Sequence, residues 1–115
     1  MIEITLREYL EEKLGVPVLM EVPKEKPSEY ILLQLIDSGK INHIDAATFS
    51  IVAISDTLYN AAELSNKIKE TLLDSITLNC ISHVDLGGEM SGIDSANKTY
   101  QYELTFNFYY YKEET

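Results

Sequence analysis

Tyr100-Gln101-Tyr102-Glu103-Leu104-Thr105-Phe106-Asn107-Phe108-Tyr109-Tyr110-Tyr111 alternates large apolar and polar residues almost without error. Successive side chains on a strand point to opposite faces. Tyr100, Tyr102, Leu104, Phe106, Phe108 and Tyr110 therefore line one face, and Gln101, Glu103, Thr105 and Asn107 the other. A period of two predicts a sheet with one side against a core. At the end of the run the alternation fails, because Tyr109 and Tyr111 make the second face aromatic too. A strand aromatic on both sides at one end is expected to meet another element or another subunit there.

Upstream of this strand, residues 87–98 hold three glycines, no periodicity and few core formers, and read as a long flexible loop. Residues 76–86 are a weaker strand candidate. Leu58, Ala61, Ala62, Ser65, Ile68 and Leu72 form a broad apolar stripe at helical spacing, with Leu64 and Leu73 at its margins and Ser55 or Asp56 as cap. Tyr30-Ile31-Leu32-Leu33-Gln34-Leu35-Ile36 is apolar on both faces apart from Gln34, which predicts a central strand covered on each side. Ser38-Gly39-Lys40 supplies a turn, and residues 47–54 read as the antiparallel neighbour. Residues 41–46 either extend that hairpin or bulge from it.

The N-terminal part opens on Thr5-Leu6-Arg7-Glu8, a capping-box pattern, so a short helix is expected over residues 6–14, ended by Gly15. Pro17 and Pro23 bracket a short strand, and prolines there are confined to a sheet edge or to strand ends. The order α-β-β-β-α-β-β predicts one α+β domain over residues 1–115: a mostly antiparallel sheet of four to five strands with two helices packed mainly on one face.

Composition narrows the function classes. A chain of 115 residues fits one compact domain, and 45% hydrophobic content is too high for a disordered one. No apolar run approaches the roughly 20 residues needed to span a bilayer. Met1-Ile2-Glu3-Ile4-Thr5 lacks the start of a secretory signal, and Cys80 has no second cysteine to pair with. The expectation is a soluble protein made in a reducing cytoplasm. Nineteen acidic against nine basic residues give a formal net charge of −10. With Arg7 the one arginine and the lysines scattered, tight binding of a phosphate backbone is not expected.

One pattern has the makings of chemistry. His43-Ile44-Asp45 and His83-Val84-Asp85 share a His-x-Asp core and contain both histidines. Side by side, two imidazoles and two carboxylates would suit a divalent metal. The plainer reading leaves each pair solvated at a strand end, because spacing without further ligands is a weak motif. Cys80, among Leu78, Ile81 and Val84, reads as a small buried hydrophobe. No phosphate-cradling Gly loop and no Gly-x-Ser-x-Gly elbow is present. The expectation is a protein that is not an enzyme, with no cofactor and no metal.

Taken along its length, the chain resembles a known family. Val16-Pro17-Val18, Glu21-Val22-Pro23 and Pro27-Ser28-Glu29-Tyr30-Ile31-Leu32-Leu33-Gln34 are similar to the opening of tail-terminator proteins of long-tailed bacteriophages and prophages, also known as minor capsid or tail-completion proteins. The Ala-containing helix and the closing strand ending in Phe-x-Phe-Tyr-Tyr-Tyr are similar to that family's second half. The resemblance implies a small α+β domain that forms a homo-oligomeric ring, a hexamer in the family. The ring caps the tail tube, stops its growth and helps join tail to head. The implied partners are other copies, the tail-tube protein and head–tail connector proteins, with no membrane, and with DNA passing without tight binding. The implied location is the virion tail or head–tail junction, after synthesis in the bacterial host cytoplasm. Strand edges, with Tyr109, Tyr110, Tyr111, Val18 and Met20, are the candidates for subunit contact. Gly87, Gly88, Glu89, Met90, Ser91, Gly92, Ile93 and Asp94 would belong to an assembly or lumen loop. The alternatives are a head–tail joining (head completion) protein of the same size class, or a small metal-dependent enzyme using His43, Asp45, His83 and Asp85. A small acidic regulator occupying another protein's nucleic-acid site would fit the charge but not the aromatic strand.

Overall fold

Five strands and two helices follow in the order α1 (Ile2–Leu14), β1 (Val18–Leu19), β2 (Tyr30–Ile41), β3 (Ile44–Ser55), α2 (Leu58–Leu73), β4 (Ile81–Asp94) and β5 (Thr99–Tyr110). The computed structural model of the chain describes residues 2–21, 24–25, 27–41, 44–74, 81–94 and 99–111. The strands form one sheet in the order β1-β2-β3-β5-β4. Only β1 runs parallel to its neighbour, with Val18 opposite Ile31; every other pair is antiparallel. This is the expected α+β architecture.

Both helices cover the same face. Ile2, Leu6 and Leu10 of α1 and Leu64, Ile68 and Leu72 of α2 share one buried cluster with Ile31, Leu33, Phe49, Ile51, Leu104, Phe106 and Phe108. Alternate β5 residues supply the sheet side of that core, as the period of two requires. Phe49 and Phe108 meet edge to face across β3 and β5 at 5.7 Å. An aromatic pair in this geometry adds about 0.5–1.5 kcal/mol beyond its area burial. The two helices are tied by the Tyr9 hydroxyl, which donates to the Thr71 carbonyl at 3.2 Å.

Several local expectations are corrected. Helix α1 begins at Ile2, so Thr5 lies inside it rather than capping it. Burial of Ile2, one turn before Leu6 on the same stripe, extends the helix past the capping-box pattern. Gly15 does end it, at φ 66°, with its amide donating to the Glu11 carbonyl. Helix α2 is capped by Thr57, whose hydroxyl accepts from the Asn60 amide at 3.1 Å, and not by Ser55 or Asp56. Leu58 sits in the first turn outside the packed face and is exposed, whereas Leu64 is central to that face.

The β2–β3 hairpin is longer than expected. Ser38, Gly39 and Lys40 make no turn but pair with Ala47, Ala46 and Asp45, and the irregularity is a bulge at Ile36. Strand β3, not β2, is central. The two-faced apolar character of β2 is confined to its start, where Tyr30 and Leu32 join Val52, Ile54 and Leu19 in a small cluster on the face away from the helices.

Candidate functional site

From Gln34 onward the face away from the helices turns polar, and the side chains there are linked across three strands. The Thr48 hydroxyl on β3 donates to Asn107 Oδ1 on β5 at 2.8 Å, and Asn107 Nδ2 donates to Asp85 Oδ1 on β4 at 2.9 Å. Asp85 Oδ2 lies 3.4 Å from His83 Nε2, and the His83 ring tilts against Tyr109 at 5.6 Å between centroids. One position further in, the Ser50 hydroxyl donates to Glu103 Oε1 at 3.1 Å. Cross-strand pairs of this kind hold a sheet in register. The polar half of the β5 alternation predicted this face, though not the partners.

The expected interface residues are scattered. Val18 is 2% exposed and belongs to the core, because β1 turns it inward beside Ile31; it offers no contact surface. Tyr110 is half-buried on the helix face, packed against the core. Burial, then the Asp45 carboxylate and the Glu3 carboxylate, push its hydroxyl pKa up. Tyr109 is half-buried on the open face beside His83. Tyr111, 57% exposed, and Met20 are the two that face solvent; they follow β5 and β1, which β2 and β3 separate.

The larger correction concerns residues 87–94. They are strand, not loop: β4 pairs with β5 from Ile81 opposite Tyr110 to Asp94 opposite Thr99. Residues 95–98 lie outside the described residues. Two irregularities, at Ser82 and Gly87, break the regular ladder. At the first, the Ser82 hydroxyl donates to the Tyr109 carbonyl at 3.0 Å. At the second, a Cβ on Gly87 would stand 3.1 Å from Asn107 Nδ2, so glycine leaves the amide room to reach Asp85. Met90 is 70% exposed and Ile93 67% exposed.

Sheet order then shows which strand edges lie open, which the sequence could not specify. Among the described residues no strand flanks β4 on its outer side, and β1 covers β2 only at Ile31 and Leu32. Two main-chain edges stand open on opposite flanks of one sheet: β4 over its length and β2 over residues 34–41. Such edges are ready templates for another strand. The signal was hidden because β4 carries no apolar alternation.

Of the two His-x-Asp units, the described carboxylates Asp45 and Asp85 lie on opposite faces of the sheet. His43 and Cys80 lie outside the described residues. Asp45 pairs with Tyr110 on the helix face, whereas Asp85 joins Asn107 on the open face. Among the described residues no group of three or more metal-ligating side chains converges. An open cleft of about 340 Å³ beside the C-terminal end of α1 is lined by Glu29, Asn60, Glu63 and Lys67 with Leu14, Val16 and Leu64, and by neither Asp45 nor Asp85. Among the described residues no helix is long and apolar enough to cross a membrane. No protein-family model matches the chain, and no curated protein sequence matches it.

Proposed function

We propose that this protein is a structural component of a long-tailed phage or prophage, a tail-terminator-like subunit. It closes into a ring on the end of the tail tube and helps join tail to head. The observation that carries the reading is the pair of open strand edges on opposite flanks of one sheet. A surface that differs on its two sides makes head-to-tail contacts, and such contacts give a ring when the rotation closes. The α+β fold agrees with what the sequence resemblance implies. The charge of −10 suits a passage for DNA that repels phosphate rather than holding it.

The chemistry of such a protein lies in association. Its partners on this reading are further copies, six to a ring as the resemblance implies, the tail-tube subunit and the connector. Light scattering over a concentration series, with and without purified tube subunits, tests it. Discrete rings, or capping of tube ends with arrest of tube growth, are expected. A protein that stays monomeric at high concentration and leaves tube growth unchanged would overturn the reading.

A further inference from the structure

We infer that copies of the chain join edge to edge, residues 88–93 of β4 in one copy pairing antiparallel with residues 36–41 of β2 in the next. The inference rests on the ring reading and names the surface that makes it. Strand direction alternates through β2, β3, β5 and β4. A second copy added in the same orientation beside β4 presents β2, and the alternation continues unbroken. Pairing β4 with β4 of another copy also gives antiparallel strands, but β4 carries Asp85, Glu89 and Asp94 and no lysine or arginine. Acid would meet acid there, whereas β2 brings Lys40.

The pleat fixes which registers are allowed, since residues opposite each other must share a face. Glu89 stands on the helix face: it is opposite Leu104, and its carboxylate accepts from Lys69 of α2 at 3.0 Å. Lys40, opposite Asp45, stands on the helix face too. Setting Glu89 opposite Lys40 of the next copy places Met90 opposite Gly39 and Ile93 beside Ile36. Met90, Ile93 and Ile36 are exposed apolar side chains in the single copy. Gly39 has no heavy atom within 4 Å of where a Cβ would stand, which leaves room for Met90. Slipping two residues either way takes Lys40 away from Glu89.

The test is a cysteine pair, Met90→Cys with Gly39→Cys, in a Cys80→Ser background. Both sites tolerate the change sterically, since Met90 is exposed and Gly39 is open. Opposed residues on antiparallel strands are within disulfide reach. Under oxidation the expected result is a ladder of covalent multimers that collapses on reduction, with no ladder from either single variant. Amide exchange on the unsubstituted protein gives the second readout: residues 88–93 and 36–41 gain protection together as rings form. Rings that form without the crosslink and without that protection overturn the edge pairing and leave the ring reading standing. Dimers from Met90→Cys alone overturn it in favour of β4–β4 pairing. Failure of the unsubstituted protein to associate, alone or on tube ends, overturns both.

Discussion

Two buried serines should respond to the same substitution with opposite signs. Ser65 lies on the packed face of α2, and its hydroxyl has no hydrogen-bond partner among the described residues. Ser50 is also buried, on β3, but its hydroxyl donates to Glu103 at 3.1 Å. For Ser65→Ala, removing an unsatisfied buried hydroxyl recovers about 1–3 kcal/mol of desolvation. Alanine adds about 0.5 kcal/mol of helix propensity over serine. Against this stand a handful of lost dispersion contacts at about 0.1–0.2 kcal/mol each. The net expectation is stabilisation by about 1–2 kcal/mol, or roughly 4–8 °C in Tm for a domain of this length. Ser50→Ala instead leaves a carboxylate oxygen without its donor and should cost about 1–1.5 kcal/mol, below the usual range for a bond to a charged group because Glu103 is only half-buried and water can replace the donor. Urea unfolding at low protein concentration measures both, followed by the fluorescence of the eight tyrosines, which no tryptophan obscures. The midpoint should rise for Ser65→Ala and fall for Ser50→Ala with the slope unchanged. A Ser65→Ala midpoint at or below the parent's would refute the reasoning, since the hydroxyl must then be bonded in solution.

Gly15→Ala should destabilise by about 1–2 kcal/mol, because φ of 66° is left-handed and any Cβ there is strained even with open space around it; the same urea titration checks this. Gly87→Ala should displace the Asn107 amide from Asp85, and the Asn107 side-chain NH2 resonances in an NMR spectrum should shift and exchange faster; unchanged resonances would show that the bulge accommodates a methyl group. Tyr110 should ionise above the ordinary tyrosine value, which a spectrophotometric alkaline titration of the parent minus Tyr110→Phe reads directly. A pKa raised by folding makes Tyr110 contribute stability that is fully present below pH about 10 and lost as pH rises through the folded value. The parent should therefore lose stability more steeply than Tyr110→Phe above that pH.

What could be read from the chain tracks how each residue is buried. Strand β5 is packed on one face and hydrogen-bonded on the other, so its alternation survived intact and decided the fold. Helix α2 was legible for the same reason, since Ala61, Ile68 and Leu72 meet the sheet. Strand β4 was not legible, because it takes its place from main-chain pairing with β5. Among its described side chains only Ile81 and Val84 are buried, while Glu89 spends the helix face on Lys69. Its glycines suggested a loop, yet Gly87 is required by the nearness of Asn107 and not by any reversal of the chain. Gly39 misled in the same way within β2. Among the site residues, Val18 was misplaced because a two-residue strand shows no period, so its inward face could not be told from its outward one.

Long open edges are a hazard unless something limits what they pair with. Here the limits are unevenly placed. On β4 the bulges at Ser82 and Gly87 disrupt the first half and leave residues 88–94 regular. On β2 the start is taken by β1 and a bulge follows at Ile36, leaving residues 37–41. These two clean stretches sit at opposite ends of the sheet, since Gly88 is level with Gln34 through Thr105 and Ser50, while Lys40 is level with Ile81 through Asp45 and Tyr110. Joining them in successive copies therefore demands a stagger along the strands. A flat stack of sheets has none to offer, but strands tilted around a closed ring require one. On the edge-pairing proposal, edges that would invite an open fibre if they met level, with Asp85 against Asp37, would become ring contacts when they meet displaced. The net charge of −10 then opposes any encounter in which Lys40 does not find an acidic partner.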